Sequence, residues 1–141
     1  MRIYFAGALF SIAAQKFNQE LKDALLKTNP DLNIVLPQDE AAKLIGKPNF
    51  EDLVFESCED EVQKADVILT ILEGPDIDSG TCIELGMAYN LGKKIIGVRT
   101  DFRGSEIEGL NIMVRKVLND YVYLTQGATV ESLAEEINKC L

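Results

Sequence analysis

Five short apolar runs, at residues 2–6, 32–36, 66–72, 94–99 and 121–124, recur along the chain with helix-forming segments between them. Each run is close to continuous in apolar residues instead of alternating with polar ones, the mark of a strand covered on both faces. The first helical segment, 11–26, carries Ile12, Ala13, Phe17, Leu21, Ala24 and Leu25 at helical spacing, and Asn29-Pro30-Asp31 breaks it. Residues 51–64 put Leu53, Val54, Cys58 and Val62 on one stripe, and 80–91 form a helix that Gly92 ends. Residues 110–118 predict a short helix, and 130–141 a closing one with Leu133, Ile137 and Leu141 on one stripe. The polar stretches 37–49 and 100–109 read as loops, the former lying over the carboxyl edge of the sheet. Strand and helix alternate throughout. This predicts an α/β chain, a single domain over residues 1–141, with a five-stranded parallel sheet between two helical layers. Right-handed crossovers give the flavodoxin-like order 2-1-3-4-5. The switch point then falls between strands one and three, so the loops 7–10 and 74–80 meet at one crevice.

The segment entering that crevice has an unusual composition. After the run ending at Leu72 comes Gly74-Pro75-Asp76-Ile77-Asp78-Ser79-Gly80-Thr81-Cys82-Ile83-Glu84-Leu85-Gly86-Met87-Ala88. Asp78 or Ser79 suits the helix cap, since a short oxygen side chain accepts from the free N–H groups of the first turn. Glu84 sits among apolar neighbours with no basic residue before Lys93. A desolvated carboxylate without a cation is costly unless a hydrogen-bond network or a chemical task retains it. The plainer reading is an exposed helical glutamate among chance apolar neighbours. Cys82 reads as small core packing, and Tyr4, Phe5 and Phe10 as core aromatics. The acidic residues from Glu51 to Glu61 read as a solvated helix face.

Composition narrows the chemistry. The net charge of −9 argues against a nucleic acid or an anionic membrane as partner. No apolar run approaches the ~18 to 20 residues of a membrane span. The strand pattern begins directly after Met1-Arg2, so no signal peptide is read and a cytoplasmic location is expected. Cys58, Cys82 and Cys140 are odd in number and far apart, which fits a reducing compartment. The chain has no histidine. That removes Ser-His and Cys-His nucleophile systems and the common histidine-rich zinc sites, and no metal is expected. The loop at Gly7 has no second glycine and no lysine, so it does not read as a phosphate loop, and a flavin-binding electron carrier is disfavoured. No cofactor is expected.

Tyr4-Phe5-Ala6-Gly7 with Phe10, Ala65-Asp66-Val67-Ile68, and Asp78-x-Gly80-Thr81-x-x-Glu84-Leu85-Gly86-x-Ala88 together resemble the nucleoside 2-deoxyribosyltransferases. The last element is the specific one; the others are common α/β patterns. The resemblance implies that Glu84 is a nucleophile attacking C1′ of a 2′-deoxynucleoside, that Tyr4 holds its carboxylate, and that Asp78 binds the deoxyribose near its 5′-hydroxyl. It places Gly7, Phe10 and Gly80 around the substrate. It puts Gln38 and Asp39 in the loop that frames the base. Leu110-Asn111-Ile112-Met113 resembles the segment a neighbouring subunit inserts into the site, so Asn111 and Met113 are expected to act across a homodimer or larger homo-oligomer. The substrates implied are 2′-deoxynucleosides and free nucleobases.

The chain departs from the family pattern at one position. Where the family carries an aspartate that contacts the leaving base, this sequence has Cys58. Asp39 is then a candidate for managing the proton of the base. A related group, the 2′-deoxynucleoside 5′-monophosphate N-glycosidases, shares the nucleophile but transfers the sugar to water. That group carries serine at the position of Asp78, where a carboxylate would repel a phosphate dianion. A further alternative is a non-catalytic nucleoside- or nucleotide-binding module. The pair Glu84 and Tyr4 argues against it, because binding alone does not need a buried nucleophile.

Overall fold

The computed structural model describes residues 1–103 and 109–141. Five strands, β1 (Arg2–Ala6), β2 (Asn33–Val35), β3 (Val67–Ile71), β4 (Lys94–Arg99) and β5 (Asp120–Tyr123), form one sheet in the order β2-β1-β3-β4-β5. All four pairings are parallel, and β1 is central to the switch point, with Tyr4 opposite Val35 on one side and Ile68 on the other. The order and the flavodoxin-like architecture match the sequence expectation.

Alternate residues of each strand feed different layers. Ile3, Phe5, Leu69, Ile71, Ile96 and Val98 pack against Leu21 and Leu25 of α1 (Ile12–Thr28) and against Leu133, Ala134 and Ile137 of α6 (Val130–Cys140). Tyr4, Ala6, Ile68, Leu72 and Ile95 pack against Val62 of α3 (Phe50–Lys64) and against Leu85 and Ala88 of α4 (Ser79–Asn90). Leu110 and Leu118, flanking α5 (Ile112–Val117), close the same layer. α1 starts where Ser11 accepts from the Ala14 N–H at 3.0 Å. Thr129 and Ser132 form a reciprocal capping box at the start of α6.

The stretch expected as a loop after β2 instead contains α2 (Pro37–Ala42). Proline at the first helical position and Asp39 and Glu40 in the first turn are favourable there, and these signals outweigh the polar composition. Cys82 is exposed, not core: the sheet-facing residues of α4 are Thr81, Leu85 and Ala88, and Cys82 lies one step around the helix from them. Phe10 is 80% exposed and is not a core aromatic either. Ile107, expected to add to the apolar surface near α5, and the middle of the 100–109 loop lie outside the described residues. Among the described residues no helix is long and apolar enough to cross a membrane.

Candidate active site

Tyr4 projects from β1 into the α3–α4 layer because its strand neighbours Ile3 and Phe5 occupy the opposite face. Glu84 projects from the second turn of α4, whose start is fixed by Asp78. The Asp78 carboxylate caps the helix, accepting from the Thr81 N–H at 3.0 Å and from the Thr81 hydroxyl at 3.2 Å. Gly80 leaves room for this cap: a Cβ there would lie 3.1 Å from Asp78 Oδ2. Strand, cap and helix together bring the Tyr4 hydroxyl to Glu84, to which it donates at 2.6 Å. Eighty residues separate the two in sequence.

The surroundings perturb both groups. Burial raises the Glu84 carboxyl above its ordinary range; the Tyr4 hydrogen bond opposes that, and the charge on Asp78 adds to it. Burial also holds the Tyr4 phenol far above its usual value, reinforced by the charge on Glu84, so it stays a donor. The Cys58 thiol, on α3, lines a small pocket with Tyr4 and is itself raised above its usual value, first of all by burial. The two carboxylates are thus set differently, Glu84 desolvated with the Tyr4 phenol as its donor and Asp78 capping the helix. Two carboxylates close together repel a further negative charge brought beside them.

The remaining residues singled out from the sequence fall in three places. Gly7 marks the close approach of the end of β1 to β3, since a Cβ would sit 3.0 Å from Ile71 Cβ. Gln38 and Asp39 line a groove of about 420 Å3 with Leu9, Gln15, Ile45 and Phe50, to which Tyr4 and Glu84 do not contribute. There Asp39 pairs with Lys22 at 3.2 Å, and Gln38 accepts from Asn18 and donates to the Gln15 carbonyl. Asn111 and Met113 line another groove, of about 530 Å3, between α4 and α5, together with Cys82, Leu85 and Gly86. It runs along the flank of α4 that does not carry Glu84, and Asn111 Oδ1 accepts from the Met113 N–H at 2.9 Å to cap α5. Within one chain, then, the structure joins Glu84, Tyr4 and Asp78 and leaves Asn111 and Met113 apart from them.

Two supporting residues escaped the sequence reading. Asn18, 4% exposed, donates to the Ala8 carbonyl and to Gln38, tying the β1–α1 turn to α2. Its signal was an asparagine at i, i+3, i+7 with Leu21 and Leu25, on the buried stripe. Arg99 is fully buried at the end of β4 and reaches the main chain after β3; its signal was an arginine closing an apolar strand.

Known proteins share this fold. The family model described as nucleoside 2-deoxyribosyltransferase matches residues 3–139. In structure the chain is similar to a conserved protein from Enterococcus faecalis V583, at 28% identity and a TM-score of 0.80, covering all of this chain and 99% of that one. It is similar in fold to a 2-deoxyribosyltransferase from Bacillus psychrosaccharolyticus, at 24% identity and 0.65, covering 86% of this chain and 85% of that one. A CMP N-glycosidase from Clostridium botulinum shares the fold at 18% identity and 0.68, with both chains covered completely. No curated protein matches in sequence. A family match running from the first strand to the last helix, on a chain that bonds Tyr4 to Glu84 and caps the Glu84 helix with Asp78, places this protein in the nucleoside 2-deoxyribosyltransferase family.

Proposed function

We propose that the protein transfers 2-deoxyribose from one nucleobase to another through a covalent intermediate on Glu84. The observation that carries this reading is the 2.6 Å hydrogen bond from Tyr4 to the half-buried Glu84 carboxylate at the carboxyl edge of the sheet. Membership of the family supports an enzyme that transfers or hydrolyses a glycosyl bond. In the first step a Glu84 oxygen forms a bond to C1′ while the bond from C1′ to the base nitrogen breaks; the base leaves with that electron pair and takes up a proton. In the second step a nitrogen of an incoming base attacks C1′, loses its proton and releases the carboxylate. This is double displacement with a base in the place of water. Tyr4 fixes one carboxylate oxygen and orients the other. Asp78 offers a charged acceptor to a sugar hydroxyl, and Phe10, free of the core, covers the ligand.

Incubating the protein with deoxyinosine and free adenine tests the reading. Deoxyadenosine and hypoxanthine are expected in equal amounts by chromatography. Hypoxanthine with free deoxyribose alone makes the protein a hydrolase, and turnover of neither nucleosides nor their monophosphates makes it a binding module.

The reading includes a site shared between subunits. Met113 is 73% exposed, and Ile83, Tyr89 and Ile112 are exposed on the same side of the sheet. Asn111 does not line the crevice of its own chain, and a two-fold dimer would present it to its partner. Sedimentation at micromolar concentration is expected to show no monomer. Glu84→Ala and Asn111→Ala, each nearly inactive alone, are expected to recover up to about a quarter of full activity when mixed, because half the dimers are hybrids with one whole site. A fully active monomer, or no recovery in dimers shown to be mixed, refutes the shared site.

A further inference from the structure

The ends of β3 and β4 are fastened together by side chains running in both directions. From β4, Arg99 Nη1 donates to the carbonyl oxygens of Leu72 and Gly74, the latter at 2.9 Å. Its Nη2 donates to the Arg103 carbonyl at 2.9 Å and its Nε to the Asp101 carbonyl at 3.1 Å. In the other direction, Glu73 accepts from the Thr100 N–H at 2.6 Å, the Thr100 hydroxyl at 2.8 Å and the Asp101 N–H at 2.8 Å. Gly109 packs on the guanidinium so closely that a Cβ there would lie 2.8 Å from Arg99 Nε.

Arg99 is 0% exposed, and among the described residues each of its hydrogen bonds ends on a main-chain carbonyl and none on a carboxylate. Burying a guanidinium whose hydrogen bonds, among the described residues, end only on main-chain carbonyls is expensive, and an apolar residue of similar volume would fill the space at lower cost. The arrangement therefore needs a reason beyond packing. The carbonyls it grips provide one. Gly74, at φ +93, is the residue where the chain turns out of β3, and Asp78 follows four residues later at the cap of α4.

We propose that Arg99 and Glu73 form a strap that positions Asp78, and with it the bound sugar, for attack by Glu84; this rests on the function proposed above. The described hydrogen bonds of the two residues end on main-chain groups and the Thr100 hydroxyl, not on Tyr4, Asp78 or Glu84, so both are positioning residues. A shift of ~1 Å at a substrate-holding group can cost about a hundredfold in kcat/KM, and where that group holds the sugar equally in ground and transition state the loss falls on KM, which makes a rigid root to the 74–78 segment worth a buried charge.

The test uses Arg99→Lys, which keeps the charge but cannot span the same set of carbonyls, and Glu73→Gln, whose amide confronts the Asp101 N–H with another donor. Both are expected to raise KM for a deoxynucleoside about tenfold or more while kcat changes by less than about threefold. Hydrogen exchange is expected to speed up in residues 75–82 and to stay unchanged in α6. Added to Asp78→Ser, either substitution is expected to raise KM no further, because the strap acts through Asp78. A lower melting temperature with unchanged KM and unchanged exchange in 75–82 makes the strap purely structural and overturns the proposal, as does a multiplied loss in the double variants. Should Arg99→Lys fail to fold, Glu73→Gln carries the same comparisons. Should the protein exchange no bases, the proposed function fails, whereas the exchange of 75–82 still reports whether the strap holds that segment; unchanged exchange refutes it in either case.

Discussion

Glu84→Ala is expected to lower base exchange at least about a thousandfold while leaving the fold and assembly intact. The size follows from the role: without the carboxylate no glycosyl-enzyme forms on residue 84. Retention of activity within about tenfold, ~1.4 kcal/mol of barrier, would remove Glu84 from the chemistry. The environment of Glu84 adds two signatures. Its raised folded-state pKa means that the acid limb of the pH–rate profile lies above the ordinary carboxylate range, since only the anion attacks. Tyr4→Phe removes the donor that opposes this shift, so the limb is expected to move to higher pH and kcat to fall. Stability runs the other way. A carboxyl whose pKa is raised on folding contributes stability below its unfolded value, and that contribution is lost as pH rises through the folded value. Glu84→Gln is therefore expected to melt higher than the unmodified protein at neutral pH and to show little advantage near pH 4.

Asp78→Ser is expected to reduce kcat/KM for deoxynucleosides by roughly ten- to a hundredfold, the worth of one charge-assisted hydrogen bond. Serine still caps a helix, so α4 is expected to start at the same residue and the melting temperature to change little. The same change removes a negative charge from the site, and the variant is expected to accept deoxynucleoside monophosphates, which the unmodified protein is expected to turn away. It also lifts the repulsion that Asp78 exerts on Glu84, so the acid limb is expected to move to lower pH, opposite to Tyr4→Phe. A preference of the unmodified protein for monophosphates over nucleosides would show the charge argument to be wrong.

Much of this was legible in the sequence, and the reasons differ by element. The strands were clear because each is an apolar run too short for a buried helix, and the parallel order followed from the helices between them. Glu84 stood out because its helix offers no cation. Asp78 stood out because capping needs a short acceptor at that place. α2 was hidden because its evidence is a proline and two acids at a helix start, not an apolar stripe. The strap was illegible for a deeper reason. Arg99 is recognised by carbonyl oxygens, which every residue possesses, so no side chain in positions 72, 74, 101 or 103 betrays the contact. The sequence likewise showed Cys58 as a departure from a pattern without showing that it lines a small pocket with Tyr4.

The division of β1 between two layers has a bearing on how this protein tolerates change. Ile3 and Phe5 serve only the packing against α1 and α6, whereas Tyr4, between them, serves both the opposite core and the Glu84 carboxylate. Variation along this strand is thus filtered by different criteria at successive residues. At 3 and 5 any apolar side chain of similar volume keeps the molecule folded, and folded is sufficient. At 4 a phenylalanine satisfies the fold and fails the reaction. A lineage drifting under selection for solubility alone would keep the odd positions and lose the even one, and would come to look like a binding protein with an intact sheet.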